Sequence, residues 1–423
     1  MHGSASSPAD QHPTRPAFAI GERELIVMVA LIMSLQALAI DAMLPGLPQI
    51  AGELGVTSPN HRQLIVGLFM GGVAFGSLIP GPLADRYGRR RVLLAGLVCY
   101  VLVSVACALV TEFNTMLAFR TIGGFACASM SVVPSAVIRD RFDGDRMARL
   151  QSLIAVIFLI VPMIAPTIGQ GILVLAGWRW IFGMMAVMGV LGYAWVALRL
   201  PESLDPEHRQ PIRTTVIARN MAETFTNRTS LGYILASACP LGLIWGWVQC
   251  CEQLLGEHFG AGEQFPYYFG GMALFMACGN FANSRIVERF GARRVAHTAL
   301  LVYILVAALQ VYLAHLPHQS LWQFVPVMAL SMMLSGFMSA NFSSIALQPF
   351  ARTAGSASSV QSFVRLVIGT VIGLTVGQAY DQSARPLAHG LLAAGLTSLA
   401  LILWSERGKL FRRVIPPGMP RPA

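Results

Sequence analysis

The sequence predicts an all-α integral membrane protein with twelve transmembrane helices in two pseudo-symmetric halves of six. The first observation is composition: 55% of the 423 residues are hydrophobic and 12% are charged, whereas soluble domains carry roughly 25% charged residues. The second is that nearly uncharged stretches of about 18 residues or more recur, each long enough to cross a hydrocarbon core of about 30 Å. The third is a charged motif that occurs twice, about half a chain apart.

The apolar runs predict spans near residues 24–47, 64–83, 92–111, 115–138, 150–174, 179–199, 231–252, 266–283, 295–314, 321–347, 357–379 and 387–404. The longest polar break separates six spans from six. We therefore expect a disordered cytoplasmic tail over 1–23, a first half over 24–200, a cytoplasmic linker over 201–229, a second half over 230–404 and a second tail over 405–423. The first run is too long for a signal peptide and lacks a cleavage motif.

Basic residues set the expected orientation. If both termini are cytoplasmic, three of the 30 Lys and Arg residues lie outside (Arg62, Arg179 and Arg385) and two lie inside spans (Arg120 and Arg365). The remaining 25 lie on the cytoplasmic side, as the positive-inside rule requires. The net charge of +10 thus reflects topology, and we expect no nucleic acid partner.

The repeated motif lies in equivalent predicted cytoplasmic loops, after span 2 and after span 8. "GPLADRYGRRRV" (residues 81–92) is the first knot, and "SRIVERFGARRV" (residues 284–295) is the second knot. Both keep an acid, an Arg, an aromatic residue, a Gly, two Arg and a Val in order. A parallel repeat of this kind indicates two six-helix halves related by an axis along the membrane normal.

The first knot resembles the loop signature of the major facilitator superfamily, G-x-L-A-D-R-x-G-R-R/K. "DAMLPGLPQIAGELG" in span 1, "LAFRTIGGFACAS" in span 4, "VPMIAPTIGQGILVLAGWRWIF" in span 5 and "AGSASSVQSFVRLVIG" in span 11 are similar to the Bcr/CflA group of drug:proton antiporters. The resemblance covers nearly all of residues 24–404. It implies a central cavity lined by helices 1, 4, 7 and 10, and alternating access by rocking of the halves.

The resemblance also implies that the knots are conformational latches. We expect Asp85 to pair with a neighbouring Arg or to lie at a helix N-terminus, with Arg139 and Arg141 as its obvious partners. We expect the second latch to be weaker because Ser284 and Glu288 replace the first Gly and the Asp. The expected latch residues are Gly81, Asp85, Arg86, Gly88, Arg89, Arg90, Arg139, Arg141, Glu288, Arg289 and Gly291.

The family's antiporter motif in helix 5 survives in part. Pro166 and Gly169 match it, whereas Ala165 and Gln170 stand where glycines are usual. Pro162 adds a second proline, and we expect a helix break over Pro162, Pro166 and Gly169. Antiport is favoured over symport on this motif, and the departures leave both open.

Two ionisable residues are predicted at similar depth inside the spans. At 1.5 Å per residue, Asp41 lies roughly 25 Å from the cytoplasmic side of a 30 Å core. By the same rise, Arg120 lies roughly 8 Å below the outer surface, which is a similar depth. Buried ionisable groups in a membrane indicate function, so we expect Asp41 and Arg120 to couple protons. The alternatives are a wet or helix-capping Asp41 and an Arg120 that is a fixed structural charge.

Substrate-binding candidates are Arg365, Gln361, Trp245 and Asn341. Arg365 lies near the middle of span 11, where it could pair with Asp41, contact a polar substrate, or face a packing seam with Gln361. Trp245 offers flat apolar surface, although aromatic residues near a span's end often anchor the interface. Asn341 also suits a helix–helix hydrogen bond.

No nucleotide-binding, hydrolase or metal motif occurs, so we expect neither an enzyme nor a cofactor. The favoured function is proton-coupled efflux of small, amphipathic compounds by a monomer in the inner membrane of a bacterium. One alternative is a transporter for a particular metabolite, such as a sugar, nucleoside or amino acid derivative. Another is a membrane sensor that keeps the fold without transporting. The partners expected are small molecules, protons and the lipid bilayer.

Overall fold

The structure, a computed structural model, describes residues 20–142, 144–204, 222, 225–350 and 354–411. Throughout these residues the regular structure is helical, which confirms the predicted fold class. The predicted first tail, most of the linker and most of the second tail lie outside the described residues.

The first half contains eight α-helices: α1 (Glu22–Asp41), α2 (Leu47–Glu53), α3 (Leu64–Gly76), α4 (Pro80–Tyr87), α5 (Arg89–Leu109), α6 (Phe113–Arg141), α7 (Gly144–Ala176) and α8 (Trp178–Arg199). The second half contains six: α9 (Arg228–Glu252), α10 (Phe265–Phe290), α11 (Ala292–Ala314), α12 (Leu321–Leu347), α13 (Ala354–Gln378) and α14 (Arg385–Ser405). Short 3₁₀ or π turns follow α1, α2, α9 and α12.

The helices agree with twelve predicted spans. Within the described residues, nine are long and apolar enough to cross a membrane, and a tenth span forms if α3 and α4, bent by 46°, are taken together. The two other predicted spans coincide with α7 and α10. Helices suit this environment because each satisfies its own backbone hydrogen bonds where no water can.

The two knots are helical rather than loops, which corrects the sequence-based interpretation. Residues 80–87 and 265–290 continue as helix, and one glycine makes each turn. Gly88 has φ +102° and Gly291 has φ +84°, a region that residues with a Cβ rarely adopt. The turn is therefore as short as a helix–helix connection allows.

Among the described residues, the halves meet mainly along two helix pairs and at one end of the bundle. α3 packs on α13, and α7 packs on α10; the rings of Phe75 and Phe363 lie edge to face with centroids 6.3 Å apart. The end contact, which we name the polar seam, joins residues 59–63 to residues 252–257 and 378–380. It lies at the end opposite the knots, the end that the predicted topology places outside.

Candidate functional site

Asp41 is the last residue of α1 and is 5% exposed. α1 packs on α6, α7 and α8 of the first half. No Lys or Arg of the described residues forms an ion pair with Asp41. This carboxylate is therefore buried without a counter-ion among the described residues.

Arg120 does not pair with Asp41. Its Nε donates to the carbonyl oxygen of Ile65 at 3.1 Å, and one terminal nitrogen donates to that of Ala39 at 2.9 Å. The guanidinium lies over the Phe69 ring, 4.1 Å from its centroid, and the residue is 3% exposed. These contacts tie α1 and α3 to α6 inside the first half. They match the structural-charge alternative, and they leave a direct Asp41–Arg120 pair without support.

The described contact of the Arg365 side chain lies within the second half. One terminal nitrogen donates to Ser339 Oγ on α12 at 3.3 Å, and its Nε is buried without a hydrogen-bond partner. Gln361 lies one turn earlier on the same face of α13 and is 3% exposed. No ion pair joins Arg365 to Asp41 in the described structure. Because Arg365 Nε has no hydrogen-bond partner and the Gln361 side chain is buried beside it, both residues remain candidates for contact with a polar substrate.

Asn341 and Trp245 are held in helix–helix contacts. Asn341 Nδ2 donates to Asn283 Oδ1 of α10 at 2.6 Å and to the carbonyl oxygen of Phe337 at 2.8 Å. Trp245 is half-buried on the α9 face that packs against Gly373 of α13. The contacts of Asn341 match the helix–helix alternative for that residue, whereas the anchoring alternative for Trp245 stays a prediction.

Arg89 organises the first knot. One terminal nitrogen of Arg89 lies 2.5 Å from Asp85 Oδ1, and its Nε lies 3.0 Å from Asp140 Oδ2. Asp85 thus pairs with a neighbouring Arg, which is one of the arrangements expected for it. Arg139 is exposed and Arg141 half-buried, and Asp140, which lies between them in the sequence, also binds Arg89.

Glu202 is a further knot residue that sequence reasoning missed. Its carboxylate accepts from the backbone N–H groups of Arg89 and Arg90, at 2.7 and 3.3 Å. An anion at the first turn of α5 is favourable because the helix N-terminus carries partial positive charge. A Cβ on Gly88 would stand 2.3 Å from Glu202 Oε2, so glycine is needed for this contact as well as for the turn.

The described contacts of the first knot all lie within the first half. Arg90 donates to the carbonyl oxygen of Ala197 at 2.5 Å, Arg86 lies over the adjacent Tyr87 ring, and Gly81 has room around it. The knot therefore fastens α4, α5, α6 and the end of α8 together. Its predicted role as a latch between halves stays a prediction.

The second knot uses different side chains for a similar purpose. Arg293 Nε lies 2.7 Å from Glu406 Oε1, and its terminal nitrogen donates to Gln348. Glu288 and Arg289 are exposed. Ala292 stands where Arg89 stands in the first knot, so Glu288 lacks the partner that Asp85 has. This difference agrees with the expectation of a weaker second latch.

In each half, an acidic residue follows the sixth membrane-spanning helix, and this correspondence is visible in the sequence. Glu202 follows α8 and Glu406 follows α14, and each is bound by the knot of its own half. The two acids stand at nearly the same distance beyond their respective knots. A search of the repeat for matching acids would have found them.

The prolines of α7 do not interrupt it. The helix continues through Pro162 and Pro166, so the predicted break is not present in this structure. Gly169 has another role: a Cβ there would stand 1.8 Å from the carbonyl oxygen of Ala42. The glycine allows α7 to touch α1 directly beside Asp41.

A groove of about 640 Å³ lies beside the second knot. It is formed by α10, α11, α12 and the segment after α14, and its lining is apolar apart from Arg294 and Thr298. None of the predicted site residues contributes to it. Several lining side chains, such as Phe290, are exposed, so the groove opens onto the surface at the knot end of the second half.

The sequence profile of the Major Facilitator Superfamily matches residues 29–374. The chain belongs to the Major Facilitator Superfamily. It is therefore a multi-pass membrane transporter and not an enzyme, as the sequence predicts.

Relatives of this superfamily member include drug-resistance proteins. It is 29% identical over 375 residues to a bicyclomycin resistance protein homolog of Haemophilus influenzae, covering 88% of this chain and 94% of the relative. It is 30% identical to the multidrug resistance protein MdtL of Klebsiella pneumoniae (90% and 95%), and 30% identical to the uncharacterized MFS-type transporter YdgK of Bacillus subtilis (90% and 96%). These relatives confirm the Bcr/CflA resemblance.

Solved structures agree on the fold. A bacterial homolog of the human lysosomal transporter Spinster, in an inward-facing and occupied conformation, superposes with a TM-score of 0.72 at 15% identity, covering 91% of this chain and 96% of that chain. The human organic anion transporter MFSD10 gives a TM-score of 0.66 at 18% identity, covering 91% and 100%.

Proposed function

We propose that this protein exports small, amphipathic compounds across a bacterial inner membrane in exchange for protons, as a monomer with both termini in the cytoplasm. The similarity to bicyclomycin and multidrug resistance proteins over about nine tenths of both chains supports the export of drug-like compounds. The favoured alternative to antiport of many compounds is transport of one metabolite. A panel of compounds distinguishes the two.

The observation that carries proton coupling is the placement of Asp41. A carboxylate that is 5% exposed and that no described Lys or Arg pairs with is costly to keep charged. Alternating access opens the interior first to one side and then to the other, so the surroundings of this carboxylate differ between the two access states. A group whose surroundings differ between states links proton binding to the change of state.

The polar seam supports an inward-facing state. With both termini cytoplasmic, the contact between residues 59–63 and residues 252–257 lies outside. The knots, at the cytoplasmic end, have their described contacts inside their own halves. In this state substrate enters from the cytoplasm and Asp41 releases its proton on the same side.

The test is transport in proteoliposomes with a panel of labelled compounds, with and without a pH gradient. We expect accumulation driven by the gradient for several amphipathic compounds, and exchange without a gradient for the same compounds. Asp41→Asn should abolish the gradient-driven part and retain exchange. Accumulation by the wild type that is equal with and without the gradient would refute proton coupling, and transport of one compound alone would favour the metabolite alternative. A protein without any flux would favour the sensor.

A further inference from the structure

The groove beside the second knot is a feature that the proposed function does not use. Its volume of about 640 Å³ falls within the range of sites that hold small molecules. α10 and α11 form its walls and α12 forms its floor, because α10 and α11 each pack along α12 and touch each other much less. The groove therefore opens between two membrane-spanning helices.

The open side of this groove faces the bilayer. α11 packs on α12 and α14 of its own half, and its other face carries exposed apolar side chains, with Val302 at 39%, Leu305 at 70% and Leu309 at 47%. On the facing wall, Ile286 and Phe290 of α10 are also exposed. Exposed apolar side chains of a spanning helix are stable against hydrocarbon rather than water. An occupant therefore enters the groove from the membrane.

The groove is charged at one end and apolar at the other. Arg294, in the first turn of α11, lines the end next to the knot, and Thr298 is the other polar residue of the lining. Val302 lies about 12 Å deeper along α11, at a rise of 1.5 Å per residue. Leu334 and Phe337 of α12 complete the apolar part. A cation at the membrane surface with an apolar slot behind it is complementary to an amphiphile that stands in one leaflet.

The charge at the surface end of the groove is positive. The described hydrogen bond of Arg294 runs from Nε to the carbonyl oxygen of Phe411 at 3.4 Å, which leaves both terminal nitrogens for a ligand. Arg289 adjoins the lining residue Phe290, and Lys409 lies two residues before Phe411; both basic side chains are exposed. Several cations can therefore attract one anionic group to this end.

The neighbouring acids do not neutralise these cations. Glu288 lies two residues from both Ile286 and Phe290, so it projects from the opposite side of α10. Glu406 is bound by Arg293 at 2.7 Å. No carboxylate is among the described residues that line the groove. An anionic group at the charged end thus meets cations without a competing acid.

We propose that this groove binds an anionic phospholipid, with the phosphate on the Arg294 guanidinium and one acyl chain in the apolar slot. An arginine fork donates two parallel hydrogen bonds to a phosphate, and basic pockets between membrane-spanning helices bind anionic headgroups. The site lies in the leaflet at the knot end, which the predicted topology makes cytoplasmic. The alternative occupant, residues 412–423 of this chain, carries three arginines and no acid, so the same cations disfavour it.

The test counts bound lipid and needs neither substrate nor a pH gradient, so its outcome is independent of the proposed export. The purified protein is equilibrated in micelles with equal amounts of phosphatidylglycerol and phosphatidylcholine that carry the same acyl chains. Native mass spectrometry then identifies the lipids that stay bound. We expect the wild type to retain phosphatidylglycerol in preference. Arg294→Gln should lower this preference about fivefold, the change expected when one basic residue at an anionic surface is lost.

The sequence repeat supplies a matched control. Arg91 stands in the first knot where Arg294 stands in the second; it is likewise exposed, and it does not line the groove. Arg91→Gln removes the same charge at the equivalent position of the other half and should keep the wild-type preference. Equal losses in Arg91→Gln and Arg294→Gln would show that basic charge in general selects the lipid, and would overturn the proposal.

A second pair of variants tests the apolar slot and keeps Arg294. Thr298 lines the groove and is exposed, so Thr298→Trp places an indole where the acyl chain would lie. Ala308→Trp is its control, at an exposed position of α11 outside the groove. Thr298→Trp should lower the retention of phosphatidylglycerol severalfold, and Ala308→Trp should leave it unchanged.

Two further results would overturn the proposal. One is a wild-type preference in both Arg294→Gln and Thr298→Trp. The other is a preference that appears only after residues 412–423 are removed, since that segment would then fill the groove in the full chain. If Arg294→Gln does not fold, the comparison of Thr298→Trp with Ala308→Trp decides, and equal retention by these two variants refutes the site.

Discussion

Gly169 gives the sharpest test of how α7 meets α1. The carbonyl oxygen of Ala42 would be 1.8 Å from a Cβ at this position, and the Ala42 carbonyl carbon would be 2.7 Å away. Ordinary carbon–oxygen contacts are at about 3.3 Å, so Gly169→Ala requires the helices to part locally by about 1.5 Å. A backbone atom cannot turn aside as a side chain can.

The expected cost of Gly169→Ala is about 1–3 kcal/mol, the usual range for overpacking. Gly171→Ala is the matched control, because nothing lies within 4 Å of a Cβ there. Alanine is a better helix former than glycine by about 1 kcal/mol, so the control should be neutral or slightly stabilising. Two alanines two residues apart on one helix should therefore change stability in opposite directions.

The assay is unfolding in detergent followed by tryptophan fluorescence, with transport in proteoliposomes measured on the same preparations. Gly169→Ala should unfold at a lower temperature than the wild type and transport more slowly, because Ala42 is the neighbour of Asp41. Equal unfolding temperatures and rates for Gly169→Ala and Gly171→Ala would refute the close contact between α7 and α1.

Three further outcomes are expected. Arg120→Ala should lower stability by about 2 kcal/mol or more, because it removes two hydrogen bonds to buried carbonyl oxygens and the packing of the guanidinium on Phe69, and an unfolding curve like that of the wild type would contradict this. Asp140→Asn should weaken stability and transport more than Asp85→Asn, since its carboxylate is 18% exposed against 47%; the reverse order, at matched protein amounts, would count against the described knot. Cysteines at Thr57 and Ser284, both exposed, should react with impermeant reagents from opposite faces of the membrane, Thr57 from outside, and labelling of both from one side would show that the topology is wrong.

Hydropathy and the repeated knot were enough to predict the fold. Helices were predictable because a span without water must satisfy its own backbone, and long apolar runs have one such solution. The knots were predicted as loops because charge was equated with absence of helix. Residues 80–87 and 265–290 show that charged residues extend a helix beyond the membrane until a glycine turns the chain.

The site was less predictable, because its contacts cross long stretches of sequence or use backbone atoms. Arg120 was expected to couple protons together with Asp41, and it binds two carbonyl oxygens, which no residue type reveals. Arg62 and Glu257 are 195 residues apart, and Arg62 was counted as one of three outer basic residues. The position of a residue along a span predicts its depth in the membrane. It does not predict the direction of the side chain around the helix axis.

The end of α14 has a practical consequence for handling this protein. Glu406 binds Arg293 and accepts from the Tyr233 hydroxyl at 2.9 Å, and the backbone N–H of Phe411 donates to His297 Nδ1 at 3.0 Å. These contacts fix the segment beyond the final helix to α9 and α11. An affinity tag or reporter joined directly after Ser405 would remove these contacts and destabilise the cytoplasmic end of the second half. Fusions made beyond Phe411 keep them, so the junction should be placed there.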